Sequence, residues 1–321
     1  MSYQLQQLPI FQALEDVETV LLAGAGGGFD FYCAVPIYLS LAAQGKRLIL
    51  ANLSFTLLSS TTASQVFPYC YEINSNDKDL SGRNYFPEQY LKLWLGMQGH
   101  QVPVYAFDRV GAQPLRDAYK YLIKIHDVDA IVLVDGGTDS LMFGDEEGLG
   151  TPQEDVCSMA AVYRTGIKKQ FLLSIGFGVD HYHGVSHYRF LENVAELMRD
   201  GGYLGVFTLL PEMEETQKYI ECVEFANARV QGMESIVSNS IVSAIEGQYG
   251  NYHKTSRTRG SELWINPLMS MYWCFDLKKV IQKLQYYDLI KDTQTMGEFN
   301  GRLARYRVAM KESRKKKQIP I

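Results

Sequence analysis

Six apolar, β-rich runs of strand length recur along the chain: VLLAGAG from Val20, RLILANLS from Arg47, VPVYAF from Val102, AIVLVDGG from Ala130, QFLLSIGFG from Gln170 and YLGVFTLL from Tyr203. They lack the in–out alternation of a half-solvated strand, so each predicts a strand buried on both faces. Between most of them lie stretches with helical spacing, namely AVPIYLSLAAQ, PEQYLKLWLGM, PLRDAYKYLIKIHD, EDVCSMAAVYR and RFLENVAELMRD. Strand alternating with helix, joined by right-handed crossovers, predicts an α/β fold: a Rossmann-like, doubly wound, mainly parallel sheet.

At 321 residues the chain suits a single domain over residues 1–321. The polar stretch 55–103, around EINSNDKDLSGRN, reads as an insertion or mobile segment. Residues 211–321 read as a mainly helical C-terminal extension in which only ELWINP, just before Pro267, is a further strand candidate. No apolar run reaches the roughly 18 residues a membrane span needs, and the opening MSYQLQQLPIFQALEDVETV lacks the cationic-then-apolar order of a signal peptide. Five scattered cysteines without a CxxC pair argue against a disulfide framework or zinc knuckle. A cytoplasmic location is the expectation.

The net charge of −5 argues against a body shaped for nucleic acid. It is unevenly spread. Residues 302–321 hold eight Lys and Arg against one Glu, a net +7, which leaves −12 for residues 1–301. This basic tail reads as a solvated helix end with a frayed tip, RNA or phosphate contact being the alternative.

Three strand ends carry the chemistry. The first is Gly24-Ala25-Gly26-Gly27-Gly28-Phe29-Asp30, where glycines allow close backbone approach and a following helix offers its N-terminus to an anion. The dinucleotide fingerprint fails, because Phe29 stands at its third glycine and Asn52 where an acid should follow the second strand, so NAD is not inferred. The second is Asp135-Gly136-Gly137-Thr138-Asp139-Ser140, whose two carboxylates can hold a metal, orient a hydroxyl or act as a base. Beyond it, Thr151, Pro152 and Glu154 spell a helix start with a capping box. The acidic loop 145–147 is either solvated charge or a ligand contact. The third is Gly176-Phe177-Gly178-Val179-Asp180-His181-Tyr182-His183, followed by His187; histidine near pH 7 is a proton shuttle and a metal ligand. In an extended segment His181 and His183 point to opposite sides, so one of them faces the ligand. The stretch 246–259, with Arg257 and Arg259, is an exposed loop or a basic lid, and Cys33 a small buried residue or a helix-start thiolate.

In open α/β sheets ligands collect beyond the carboxyl ends of strands, so these motifs are expected to converge. Gly24, Gly26, Gly27, Gly28, Asp30, Asn52, Gly136, Gly137, Thr138, Gly178 and Asp180 are the candidate ligand-binding residues. Asp135, Asp139, His181 and His183 are the candidate catalytic groups and the candidate metal ligands, with Mg²⁺ favoured over Zn²⁺. The expected activity is hydrolysis or group transfer on a small anionic, nucleotide-like or phosphorylated molecule, by acid–base or metal assistance. The alternative is a non-catalytic metabolite-binding or sensing protein using the same pocket. Homo-oligomerisation is open; membrane association is not expected, nor nucleic-acid binding outside the tail.

Taken together, LPIFQALED, LLAGAGGGFD with Pro36, ANLSFT, VDGGTDSLMFGDE, GTPQED, GFGVDHYHGVSH and INPLMSMYWCFDL resemble, in this order, a family of bacterial and archaeal proteins known as a domain of unknown function. The resemblance spans nearly the whole chain. It implies a single Rossmann-like domain with helical C-terminal additions in the cytoplasm, and supplies neither a reaction nor catalytic residues.

Overall fold

A computed structural model describes residues 6–319. Its centre is a nine-stranded sheet built from β1 (Thr19–Gly27), β2 (Arg47–Leu53), β3 (Ser64–Phe67), β4 (Cys70–Glu72), β5 (Val104–Phe107), β6 (Ala130–Gly136), β7 (Lys169–Ile175), β8 (Tyr203–Thr208) and β9 (Met271–Asp276). Across the sheet the order is β3-β4-β5-β2-β1-β6-β7-β9-β8. The five central strands, β5-β2-β1-β6-β7, are parallel. Both flanks are antiparallel: β3 and β4 beside β5, β9 and β8 beside β7. The α/β, Rossmann-like expectation is met.

Helices α1 (Pro9–Ala13), α2 (Val35–Ala43), α3 (Pro87–Met97), α4 (Ala112–His126), α5 (Pro152–Tyr163), α6 (His187–Arg199), α7 (Glu214–Asn227), α8 (Ile236–Ile245), α9 (Leu277–Lys283), α10 (Tyr287–Ile290) and α11 (Met296–Ala309) cover the sheet. The strand period of two divides the core cleanly. Val20 and Leu22 of β1 pack with Leu41, Leu91, Trp94 and Tyr219 of α2, α3 and α7. Leu21 and Ala23 pack on the other face with Leu115, Tyr119, Met159 and Ala160 of α4 and α5. Since every central strand is covered on both sides, alternation disappears from its sequence, and each large apolar side chain removed from water contributes about 1.5–3 kcal/mol.

The first two crossovers, through α2 and α3, thus run over one face, and the next two, through α4 and α5, over the other. The winding reverses between β1 and β6, which places a crevice beyond their carboxyl ends. Residues 55–103 contain the β3–β4 hairpin and α3. The C-terminal region inserts one strand, β9, between β7 and β8. The strand anticipated at ELWINP is instead loop with a single bridge, Gly250 to Ile265; the β-structure lies a few residues on, in MYWCFD. Among the described residues no helix is long and apolar enough to cross a membrane.

The tail is not the solvated tip anticipated from its charge. Beyond α11 it runs back over the acidic loop, where Arg314 donates to Asp145 Oδ1 (2.7 Å), Glu146 Oε1 (2.7 Å), Glu192 Oε2 (2.6 Å) and Asn193 Oδ1 (3.0 Å). The backbone NH of Lys316 donates to Glu147. Charge at 145–147 is therefore used internally. Pro320 and Ile321, like Met1–Leu5, lie outside the described residues.

Candidate functional site

The glycine run closes β1 at the reversal point. A Cβ at Gly26 would collide with Asp30 Oδ2 and lie 2.7 Å from Asp155 Oδ1, so glycine there lets two carboxylates close on the strand backbone. Gly137 does the same for the third motif: its Cβ would lie 2.7 Å from Asp180 Oδ2. That oxygen accepts the backbone NH of Thr138 at 2.6 Å, tying the ends of β6 and β7 together.

Around these glycines five carboxylates gather. Asp135, at the end of β6, accepts from Ser140 and, at 3.3 Å, from Ser174. Asp139 accepts the NH and hydroxyl of Thr151 at 2.8 and 3.0 Å. Asp180 holds Thr138. Asp30 follows the glycines, and Asp155 projects from the first turn of α5. Asp155 Oδ1 is buried and has no hydrogen-bond partner. Oxygens of Asp30, Asp135 and Asp155 lie within 4.8 Å of one another, the span of one coordination sphere whose ligands sit about 2.0–2.6 Å from the ion.

Burial sets the electrostatics. It pushes the Asp135 carboxyl up to about 8, with Asp139 adding to the shift and the Ser140 and Ser174 hydroxyls opposing it. Asp155 and Asp180 are driven well above the carboxylate range by burial and then by Asp139 and Asp135. Asp30 is raised by burial and then by Asp135, and Asp139 by burial, against the Thr151 hydrogen bonds and the nearby His183. Among the described residues no Lys or Arg forms an ion pair with any of the five. Buried like charges without a counter-charge are costly, and an ion ligated by oxygen relieves them.

The sequence candidates are distributed as follows. Gly24 to Gly28, Asp30, Asp135 to Asp139 and Asp180 come together at the crevice. His183 is exposed and close enough to Asp139 to favour its ionised form. His181 is stacked on His187 at 5.4 Å between ring centres. The premise that residues 181–183 are extended does not hold: Val179–His181 is a 3-10 turn opened by Gly178. Asn52 is buried, and its amide donates to Gly28 O (2.7 Å) and Glu88 Oε1 (2.8 Å); it fixes the glycine turn from below.

Two further residues were passed over. The helix start at Thr151–Pro152 is as anticipated, but no capping box forms, because the Thr151 hydroxyl is taken by Asp139 and Glu154 by Arg109 at 2.6 Å. The acid that matters is its neighbour, Asp155. Glu88, whose carboxyl burial raises to about 7, lies in an unremarkable helical run. Cys33 is a buried thiol whose ionisation burial opposes.

Beside Gly27 and Gly28, against the rings of Phe55 and Tyr85, opens a cleft of about 330 Å³ with Arg83 and Arg257 in its wall. Arg257 anchors itself on Glu234 O at 2.6 Å. Two arginines and Asp79 thus line a cleft that Phe55 and Tyr85 separate from the glycine loop.

A family model described as "Protein of unknown function (DUF1152)" matches residues 61–313. No curated protein matches the chain.

Proposed function

The chain belongs to the DUF1152 family, a family of unknown function, and we propose from its site that it is an enzyme acting on a small anionic, nucleotide-like or phosphorylated molecule by cation-assisted hydrolysis or group transfer. One observation carries this reading: Asp30, Asp135 and Asp155 converge at the reversal of the sheet with a buried, unpartnered oxygen on Asp155. An all-oxygen donor set suits Mg²⁺, Mn²⁺ or Ca²⁺ rather than Zn²⁺.

A divalent cation there would draw charge from the oxygens of a bound anion and lower the pKa of a coordinated water. The chain's own groups do the rest. Arg83 and Arg257, which share their cleft wall with Asp79, offer the anion positive charge on the far side of Phe55 and Tyr85 from the glycine run. Asp139 with the exposed His183 would take up and return a proton. Asp180 holds Thr138 and the Gly136–Gly137 turn in register with the strand ends.

The test is calorimetric titration of the purified chain with Mg²⁺ and Mn²⁺, followed by incubation with phosphorylated metabolites while consumption is monitored. We expect a cation to bind, turnover to require it, and Asp135→Asn and Asp155→Asn to lose at least about a hundredfold in rate while remaining folded. Full turnover by both folded variants would overturn the proposal. Binding of a metabolite without consumption would identify a sensor instead.

A further inference from the structure

A second hollow, of about 240 Å³, opens on the β7 side of the crevice, between the Gly178–Tyr182 turn, the first residue of α6 and the loop around Trp264. Four of its lining residues, His181, Tyr182, His187 and Trp264, carry rings. His181 stacks on His187 with 27° between the rings, His187 lies 5.2 Å from Trp264, and Phe177 backs His187 at 5.1 Å. Tyr182 and Trp264 remain 77% and 37% exposed, so these large rings are not simply core.

A polar group stands at the edge of these faces. His187 Nε2 is turned into the protein against the Gly178 backbone, and burial holds this imidazole below its ordinary value, so at pH 7 it is neutral and offers the hollow an uncharged ring face. The Glu262 carboxylate lies at the rim and accepts hydrogen bonds. Flat π-faces with a carboxylate at the rim match a planar ring that carries its own donors along its edge. A purely apolar guest would gain nothing from the glutamate, and a phosphate would be repelled by it.

We propose that this hollow binds a heteroaromatic ring of the nucleobase type. The turn that carries it, Gly178–Asp180, is the one that fastens Thr138 at the carboxylate cluster, so the ring site and the charged site are joined by three residues. That ring and anion are parts of one molecule, making the substrate a nucleotide, rests on the function proposed above; the ring site itself does not.

The experiment titrates the full chain by calorimetry with adenosine, guanosine, cytidine and uridine, which carry the ring without the anion, and with ribose and inorganic phosphate as controls. The expected result is saturable binding of at least one nucleoside and not of ribose. Trp264→Ala and His187→Leu should each weaken it at least about tenfold, while Asp155→Asn leaves it unchanged. Trp264 is partly exposed, so its replacement keeps the test meaningful if the His187 variant fails to fold. No saturable nucleoside binding, or binding indifferent to both substitutions, overturns the ring site. Nucleoside binding in a chain that consumes no nucleotide sinks the proposed activity and leaves the ring site standing; consumption of a sugar phosphate with no nucleoside bound does the reverse.

Discussion

A carboxylate stripped of water and given no donor resists ionisation, and Asp155 Oδ1 is in that position beside two other acids. Removing its charge should therefore have opposite effects with and without a cation. In chelator, Asp155→Asn is expected to stabilise the fold by about 1–3 kcal/mol, because a buried repulsion is relieved. In millimolar Mg²⁺ the native chain should gain in melting temperature and the variant should not. Urea unfolding under both conditions reads the two effects; a variant that responds to Mg²⁺ like the native chain would remove Asp155 from the site. Glu88 gives an independent residue-scale prediction. Its folded carboxyl is raised to about 7 from an ordinary 4.5 by burial, so its contribution to stability is complete below about pH 4.5 and lost as pH rises to about 7. The loss amounts to about 3 kcal/mol. Glu88→Gln should accordingly be more stable than the native chain at pH 8, with the difference shrinking toward pH 5, as denaturation curves at the two pH values will show. Neither acid announces itself in the sequence. Asp155 stands in the first turn of a helix, where acids are ordinary complements to the helix dipole, and only the crossing of β1 past α5 gives it a second meaning. Asp30 and Asp135 were legible because each leaves an apolar strand beside glycines.

Of the contacts that hold the tail after α11, the Arg314 guanidinium makes the most. Glu146 is 1% exposed and already accepts the NH groups of Phe143 and Gly144 and the amide of Asn193. Arg314 supplies its counter-charge and at the same time joins Asp145 to Glu192 of α6. Taking away one partner of a mostly buried pair leaves the other uncompensated. Because the Arg314 side chain keeps 25% of its exposure, the expected cost of Arg314→Ala is about 2–3 kcal/mol, below that of a wholly buried pair. Equilibrium urea unfolding measures it, and faster proteolysis within residues 310–319 should accompany it. A cost under about 0.5 kcal/mol would reduce the strap to an ordinary surface ion pair. The two halves of this contact were both visible as charge, in Asp145 to Glu147 and in Arg314 to Lys317, but they are about 170 positions apart. Composition shows a charge run without its partner, which is why the tail read as solvated. β9 escaped notice for a related reason. It is an antiparallel insertion between β7 and β8, and MYWCFD, lying among helical segments, lacks the strand–helix rhythm that exposed the central five.

Rhythm was enough for those five strands because burial on both faces writes itself into sequence as uninterrupted apolar runs, whereas strand order does not. The order places the ends of β1 and β6 side by side at the reversal of winding, and that adjacency makes a crevice out of motifs more than a hundred residues apart. It also gives the whole molecule a pH signature. Asp30, Asp135, Asp139, Asp155 and Asp180 all have folded-state values raised by burial. The folded chain therefore holds more protons than the unfolded chain above about pH 4, and stability should fall as pH rises toward about 8, the value for Asp135. Surface acids held low by their partners, such as Asp200 beside Lys283 and Glu298 beside Gln294 and Arg302, act in the opposite sense but only below about pH 4.5. The lowered His126 and His187 oppose the trend modestly around pH 6.5. From pH 5 to 8 the carboxylate cluster should dominate. In chelator the melting temperature is expected to decline steadily over that interval. Saturating Mg²⁺ should raise it most at the alkaline end and flatten the slope, because an ion that holds the carboxylates ionised displaces their protons. Calorimetry in two buffers of different ionisation enthalpy would then register proton release on Mg²⁺ binding, smaller at pH 9 than at pH 6. A chelated chain that grows more stable from pH 5 to 8, or a slope that Mg²⁺ leaves untouched, would mean that Asp30, Asp135 and Asp155 do not share a common ion and that the crevice is held together some other way.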